Sequence, residues 1–224
     1  MFISKKTNKR RADMTNVLIL GANGRISRLA RDLFLKETDV KLTLYLRNAH
    51  RLKMVNPERE RIIEGDVNDL EKLKEAMAGQ DVVYSNIGSD IVRATKNIVA
   101  AMEKTSVKRL IAINALGIYD EVPGKFGEWN KRMCGSNLFE FRKAADIIEA
   151  SDLDYTIIRG AWFTNKDEVD YEITQKGEPF KGTEISRKSI AAFVVKLAVT
   201  PGLEVRHSVG INKPNTDGDK PAFY

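Results

Sequence analysis

The feature that most constrains this chain is a four-residue apolar run, Val17-Leu18-Ile19-Leu20, that stops at Gly21-Ala22-Asn23-Gly24-Arg25-Ile26-Ser27. An uninterrupted apolar run closed by glycine reads as a parallel strand buried on both faces. From Ile26 to Lys36, residues Leu29, Leu33 and Phe34 fall on one face of a helix. A glycine turn between such a strand and such a helix is the context in which a G-x-x-G-x-x-S spacing holds phosphate. Gly21 permits the tight turn, Gly24 lets backbone approach a pyrophosphate without a Cβ in the way, and Ser27 is small enough for helix to pack on strand. The helix N-terminus adds unpaired N–H groups and a partial positive charge. No Gly-Lys-Ser/Thr follows, which excludes a P-loop.

Strand and helix signals then alternate along the chain. Strands are predicted at 41–46, 61–64, 82–84, 110–113, 155–158 and 204–211. Helices are predicted at 69–77, with Asp69 as N-cap, and at 91–104, 139–150 and 189–198. Strands joined by crossover helices make an α/β fold, a Rossmann-type doubly wound parallel sheet, here with a small substrate lobe built from C-terminal loops. The expected organisation is a basic, disordered leader over 1–14, one domain over 15–211 and a loosely held tail over 212–224. The stretches 115–137 and 160–185 read as long loops at the carboxyl ends of strands, where an open α/β sheet forms its ligand crevice.

The end of the second strand separates NAD from NADP. An acidic residue there would take the ribose 2′-hydroxyl. This strand runs Tyr45-Leu46-Arg47-Asn48, and Arg47 suits a 2′-phosphate through charge-assisted, bidentate contact. Arg25 and Arg51 add positive charge nearby in sequence. Asp66 reads either as acceptor for an adenine amino group or as a turn aspartate. The expected cofactor is NADP(H) in preference to NAD(H).

With those residues on the page, the chain resembles the atypical short-chain dehydrogenase/reductases, in the NAD(P)H-binding, NmrA-like branch. The resemblance covers 15–211 and is carried by GANGRIS, LYLRN, Gly65-Asp66-Val67, Asn86-Ile87-Gly88, Asn114-Ala115-Leu116-Gly117-Ile118-Tyr119, Lys143, LDYTIIR and Ile185-Ser186-Arg187. It implies that Gly21, Asn23, Gly24, Arg25 and Ile26 line the pyrophosphate and that Arg47 reads the 2′-phosphate. Asp66 and Val67 flank the adenine, and Asn86, Ile87 and Gly88 sit under ribose and diphosphate. Asn114, Ala115 and Lys143 approach the nicotinamide ribose, and Gly160, Ala161, Trp162 and Phe163 pack near the nicotinamide.

The departures from that family are chemical. Its typical members carry a serine at the end of the fifth strand and a tyrosine four residues before the lysine, and the tyrosine gives a proton when hydride reduces a carbonyl. Here those positions are Asn114 and Phe139. Tyr119 stands as the candidate replacement acid, beside Lys143 and Asn114. Neither His50 nor His207 falls on a site element.

Two functions follow as expectations. One is an oxidoreductase passing hydride to a small flat acceptor such as a quinone, with Trp129, Met133, Trp162 and Phe163 available to stack on it or simply to pack the loops. The other is a non-catalytic NADP(H) sensor that binds a partner protein. An epimerase or dehydratase fits less well, because such enzymes rely on the absent tyrosine.

The net charge of +6 is concentrated in the leader, where Lys5, Lys6, Lys9, Arg10 and Arg11 stand against Asp13, leaving +2 for the rest. Nucleic acid is therefore not an expected partner. No apolar run reaches membrane-spanning length, and no metal-ligand cluster is visible. The single Cys134 permits no intrachain disulfide, in keeping with an expected cytoplasmic location.

Overall fold

The computed structural model describes residues 15–224. The basic leader lies outside the described residues. Strand β1 (Asn16–Leu20) leads through the glycine turn into helix α1 (Arg25–Glu37), followed by β2 (Lys41–Leu46), β3 (Glu60–Glu64), α2 (Leu70–Met77), β4 (Val82–Ser85), α3 (Ile91–Thr105) and β5 (Arg109–Ala115). Beyond these come α4 (Gly124–Cys134), α5 (Asn137–Glu149), β6 (Asp154–Gly160), β7 (Trp162–Thr164), β8 (Glu172–Gln175), β9 (Glu184–Ser186), α6 (Arg187–Val199) and β10 (His207–Asn212).

The main sheet has the order β3-β2-β1-β4-β5-β6-β10-β8. All pairings are parallel except β10 with β8. The order reverses between β1 and β4, so the crevice of the sheet opens there, at the carboxyl ends of both strands. Successive side chains of β1 point to opposite faces. Val17 and Ile19 pack with α1 and α6, against Phe34, Ile190 and Val194. Leu18 and Leu20 pack with α2, α3 and α5, against Leu73, Met102 and Ile148. Burial on both faces explains why β1 is uninterruptedly apolar.

Three expectations need correction. The stretch 115–137 contains the helix α4, and 160–185 contains β7, β8 and part of β9. Strands β7 and β9 form a separate two-stranded parallel ribbon that builds the lobe. The tail is tied down: Thr216 O accepts from Thr183 N (3.0 Å), and the Tyr224 ring lies against Trp129 and Trp162 at 5.0 and 5.2 Å. Among the described residues, no helix is long and apolar enough to cross a membrane.

Candidate functional site: a glycine loop joined to an apolar cavity

The glycine turn is built as its sequence requires. Gly21 adopts φ +76°, a conformation that L side chains avoid, and a Cβ on it would stand 2.7 Å from Asn86 O. A Cβ on Gly24 would meet Asn86 Nδ2 at 2.7 Å. The turn is sewn to its neighbours: Gly21 N and Ala22 N donate to Tyr45 O at 3.0 and 3.2 Å, and Asn86 Nδ2 donates to Ser27 Oγ at 2.9 Å. Ile26 sends its side chain into the core, so only its backbone faces the turn. Helix α1 starts at Gly24 with no side-chain cap and no acid in its first turn. Its first N–H groups are left for an anion.

Arg47 follows β2 on the surface, exposed, with no ion pair among the described residues. Asp66 is a turn aspartate as well as a candidate adenine contact. Its Oδ1 accepts from Asn68 N at 2.9 Å, and its carbonyl accepts from the Tyr45 hydroxyl at 2.9 Å. Val67 O accepts from Asn97 Nδ2, which fixes the start of that turn to α3.

Beside the glycine turn lies a cavity of about 310 Å³. The end of β4 contributes Asn86, Ile87 and Gly88, and β5 with the following turn contributes Ile113, Asn114, Ala115 and Leu116. Helix α4 adds Asn130 and Cys134, α5 adds Phe141, and the far wall is Gly160, Ala161, Trp162 and Phe163. All nine residues expected at the ends of β4, β5 and β6 therefore meet in one place, and Lys143 on α5 does not join them. Ile113, Leu116, Asn130, Cys134 and Phe141 were not anticipated. Asn130 and Cys134 lie on the unpredicted α4, and Phe141 carries an ordinary helical signal.

The polar groups of this cavity are mostly amides already in use. Asn114 Nδ2 donates to Phe141 O (3.2 Å), while its Oδ1 accepts from Ala115 N (2.7 Å). Asn130 Nδ2 donates to Leu116 O, and its Oδ1 accepts from Trp162 Nε1 at 2.9 Å, which locks the indole against the cavity. Cys134 carries the one thiol, and burial pushes it above its ordinary pKa. Among the described residues, no carboxyl, phenol or ammonium group lines the cavity.

The expected catalytic set does not assemble. Tyr119 points away, its hydroxyl donating to Glu149 Oε1 at 2.9 Å and its ring covered by Lys176, Arg142 and Arg159 at 4.3, 4.9 and 5.3 Å. Burial and the neighbouring Glu149 raise its pKa. Lys143 is exposed and paired with Glu140 at 2.9 Å, one turn from the exposed Phe139. Both sit outside the cavity because α5 turns that face toward solvent. Of the four residues considered for stacking, Trp162 and Phe163 line the cavity. Trp129 packs behind Trp162 at 4.7 Å, and Met133 is exposed.

The loop beneath the cavity is held by a buried carboxylate. Glu121 accepts from Gly117 N (3.0 Å) and Tyr119 N (2.9 Å) and pairs with the fully buried Arg159, which also donates to Ser208 O. No sequence signal marks this pair, since its members lie 38 residues apart.

The residues present fit a dinucleotide. The tight glycine cradle, the uncapped helix and the exposed Arg47 make a polyanion end, and the cavity adjoining Asn86 makes an apolar end. A family described as NAD(P)H-binding matches residues 21–201. The chain is similar to a Rossmann-fold NAD(P)-binding family protein from Shigella flexneri, with 43% identity and TM-score 0.81 over 94% of this chain and 100% of that one. It is also similar to a short-chain dehydrogenase/reductase from Veillonella parvula DSM 2008 solved in complex with NADP, with 29% identity and TM-score 0.87 over 93% and 99% of the two chains. A curated relative, an N-acetyl-alpha-D-glucosaminyl-diphospho-ditrans,octacis-undecaprenol 4-epimerase from Escherichia coli O157:H7, is 30% identical over 117 residues, which are 46% of this chain and 33% of that protein. The match spans about a third of that relative's length.

Proposed function

We propose that this chain, which belongs to the NAD(P)H-binding family, is an NADP(H)-dependent oxidoreductase that reduces a flat acceptor of the quinone type. One observation carries the reading: the cavity beside the glycine turn is walled by apolar and amide groups and one thiol, Cys134, which burial holds above its ordinary pKa, and among the described residues no carboxyl, phenol or ammonium group lines it. The reduced nicotinamide, when bound, supplies hydride. A simple carbonyl would become an alkoxide and need a proton at once. A quinone delocalises the added charge and can take its proton from water. The residues then have only to orient the reactants and exclude solvent.

In this reading the turn at 21–26 holds the diphosphate, Arg47 takes the 2′-phosphate, and Asp66 with Val67 borders the adenine. Asn86, Ile87 and Gly88 lie under the ribose next to it. Asn114 holds the end of β5 in place and gives no proton. Trp162, fixed through Asn130, and Phe163 present flat apolar faces to the acceptor. The NADP complex of the Veillonella protein supports the choice of cofactor family.

The test is NADPH consumption by the full chain with a panel of quinones and matched ketones. Turnover with quinones alone is expected. Tight NADPH binding with no turnover on any acceptor would overturn the enzymatic reading in favour of a redox sensor.

A further inference from the structure

The motif Ile185-Ser186-Arg187 has no part in the reading above, although Arg187 opens α6 next to the cavity. Helices α1 and α6 pack side by side on one face of the sheet. Each follows the sheet's carboxyl edge and leads into the next parallel strand, so both begin at the ligand edge. The first residue of α1 is Arg25 and the first residue of α6 is Arg187.

The Arg187 guanidinium is held in place rather than free to swing. Its Nη1 donates to Asn165 Oδ1 (2.8 Å) and to Thr164 O (3.2 Å), and its plane lies 5.3 Å from the ring centre of Phe163, a cavity wall. Its Nε and Nη2 have no partner among the described residues. Neither arginine pairs with a carboxylate there. Burial and the nearby charge of Arg25 both lower the pKa of Arg187. Two arginines thus open adjacent helices, and neither is paired with a carboxylate among the described residues, an arrangement that suits a bound oxyanion.

Resting on the dinucleotide reading, we infer that Arg187 and Arg25 form a two-arginine clamp on the cofactor's diphosphate, closing from the lobe onto the glycine turn. The diphosphate suits the position because Arg25 belongs to the turn itself and the uncapped N–H groups of α1 open to the same side. The clamp ties the lobe ribbon, through Thr164 and Phe163, to the phosphate end of the site.

The test is NADPH affinity of the full chain by fluorescence titration at low and high salt, for wild type, Arg187→Gln and Arg187→Lys, with inorganic pyrophosphate as competitor. Arg187→Gln is expected to weaken NADPH about 10- to 100-fold, to lessen pyrophosphate competition and to flatten the salt dependence. Arg187→Lys keeps the charge and is expected to retain the salt dependence. It also carries the test if the glutamine variant melts early.

Wild-type affinity and salt dependence in both variants would overturn the clamp. So would affinity lost with the salt dependence unchanged, which marks a packing role only. Unchanged NADPH binding with a raised KM for anionic quinones alone would assign the oxyanion to the acceptor and overturn the diphosphate assignment. Failure of the wild type to bind NADPH would instead sink the dinucleotide reading itself.

Discussion

In the proposed reading, Arg25, Arg47 and Arg187 serve the phosphate end of the site and stand without a carboxylate partner among the described residues, whereas none of the described residues lining the cavity end is charged. The first end is open and built from a turn, a helix start and exposed side chains. The second is a partly open cavity lined from several elements, and it uses its amides internally. In the proposed reading, charge serves to hold a polyanion, and the reacting end offers shape and apolar surface. The contrast implies that affinity and chemistry can be damaged separately.

The two halves share one device. In the phosphate half, Glu60 accepts from Val55 N and Asn56 N at 2.7 and 2.8 Å and pairs with the buried Arg31, fixing the loop between β2 and β3. In the cavity half, Glu121 does the same with Arg159 and the turn after β5. Glu121→Gln leaves Arg159 buried without its counter-charge and is expected to cost about 3–5 kcal/mol. Thermal melting checks it, with a fall of roughly 10 °C. Glu60→Gln should destabilise the protein by a similar amount without reshaping the cavity.

The pH dependence of Glu60 sharpens the pairing. Burial alone would raise its carboxyl, but hydrogen bonds from Arg31, Asn56 and Val55 outweigh this and hold it below the ordinary 4.5. A depressed carboxylate contributes stability above its unfolded pKa and loses it as pH falls through the folded one. Melting temperature should therefore fall below about pH 4.5, and part of that slope should vanish in Glu60→Gln.

Arg47→Ala should act on the phosphate end alone. NADPH affinity is expected to fall by roughly 10- to 100-fold, with NADH affinity unchanged. Equal loss for both would show that Arg47 serves the fold rather than the 2′-phosphate. The smallest effect is expected from Tyr119→Phe. Its hydroxyl donates to Glu149 outside the cavity, so about 1 kcal/mol of stability is at stake and turnover should not change.

Much of the phosphate half was legible in the sequence because each feature there is local. Val17 to Ser27 encodes strand, turn and helix within eleven residues, and β2 falls at 41–46 as expected. The cavity half depends on distant contacts. Helix α4 begins Gly-Lys-Phe-Gly and buries Phe126, Gly127, Trp129 and Asn130, which is no apolar stripe. Gly127 is required there because a Cβ would stand 2.1 Å from Val122 O. Strands β7 and β9 are three residues each and exist through their mutual pairing. The direction of Tyr119 was not legible for the same reason: an aromatic in a site loop gives no sign of where it points, and here its ring lies under Arg142, Arg159 and Lys176.

The most direct measurement is the pH profile of kcat/KM for quinone reduction by NADPH in the full chain, across about pH 6 to 9. The expected profile has no limb in this range, because among the described residues no carboxyl, phenol or ammonium group lines the cavity and burial holds the Cys134 thiol above its ordinary pKa. A rate falling about tenfold per pH unit above a single pKa would reveal an obligatory proton donor and contradict it.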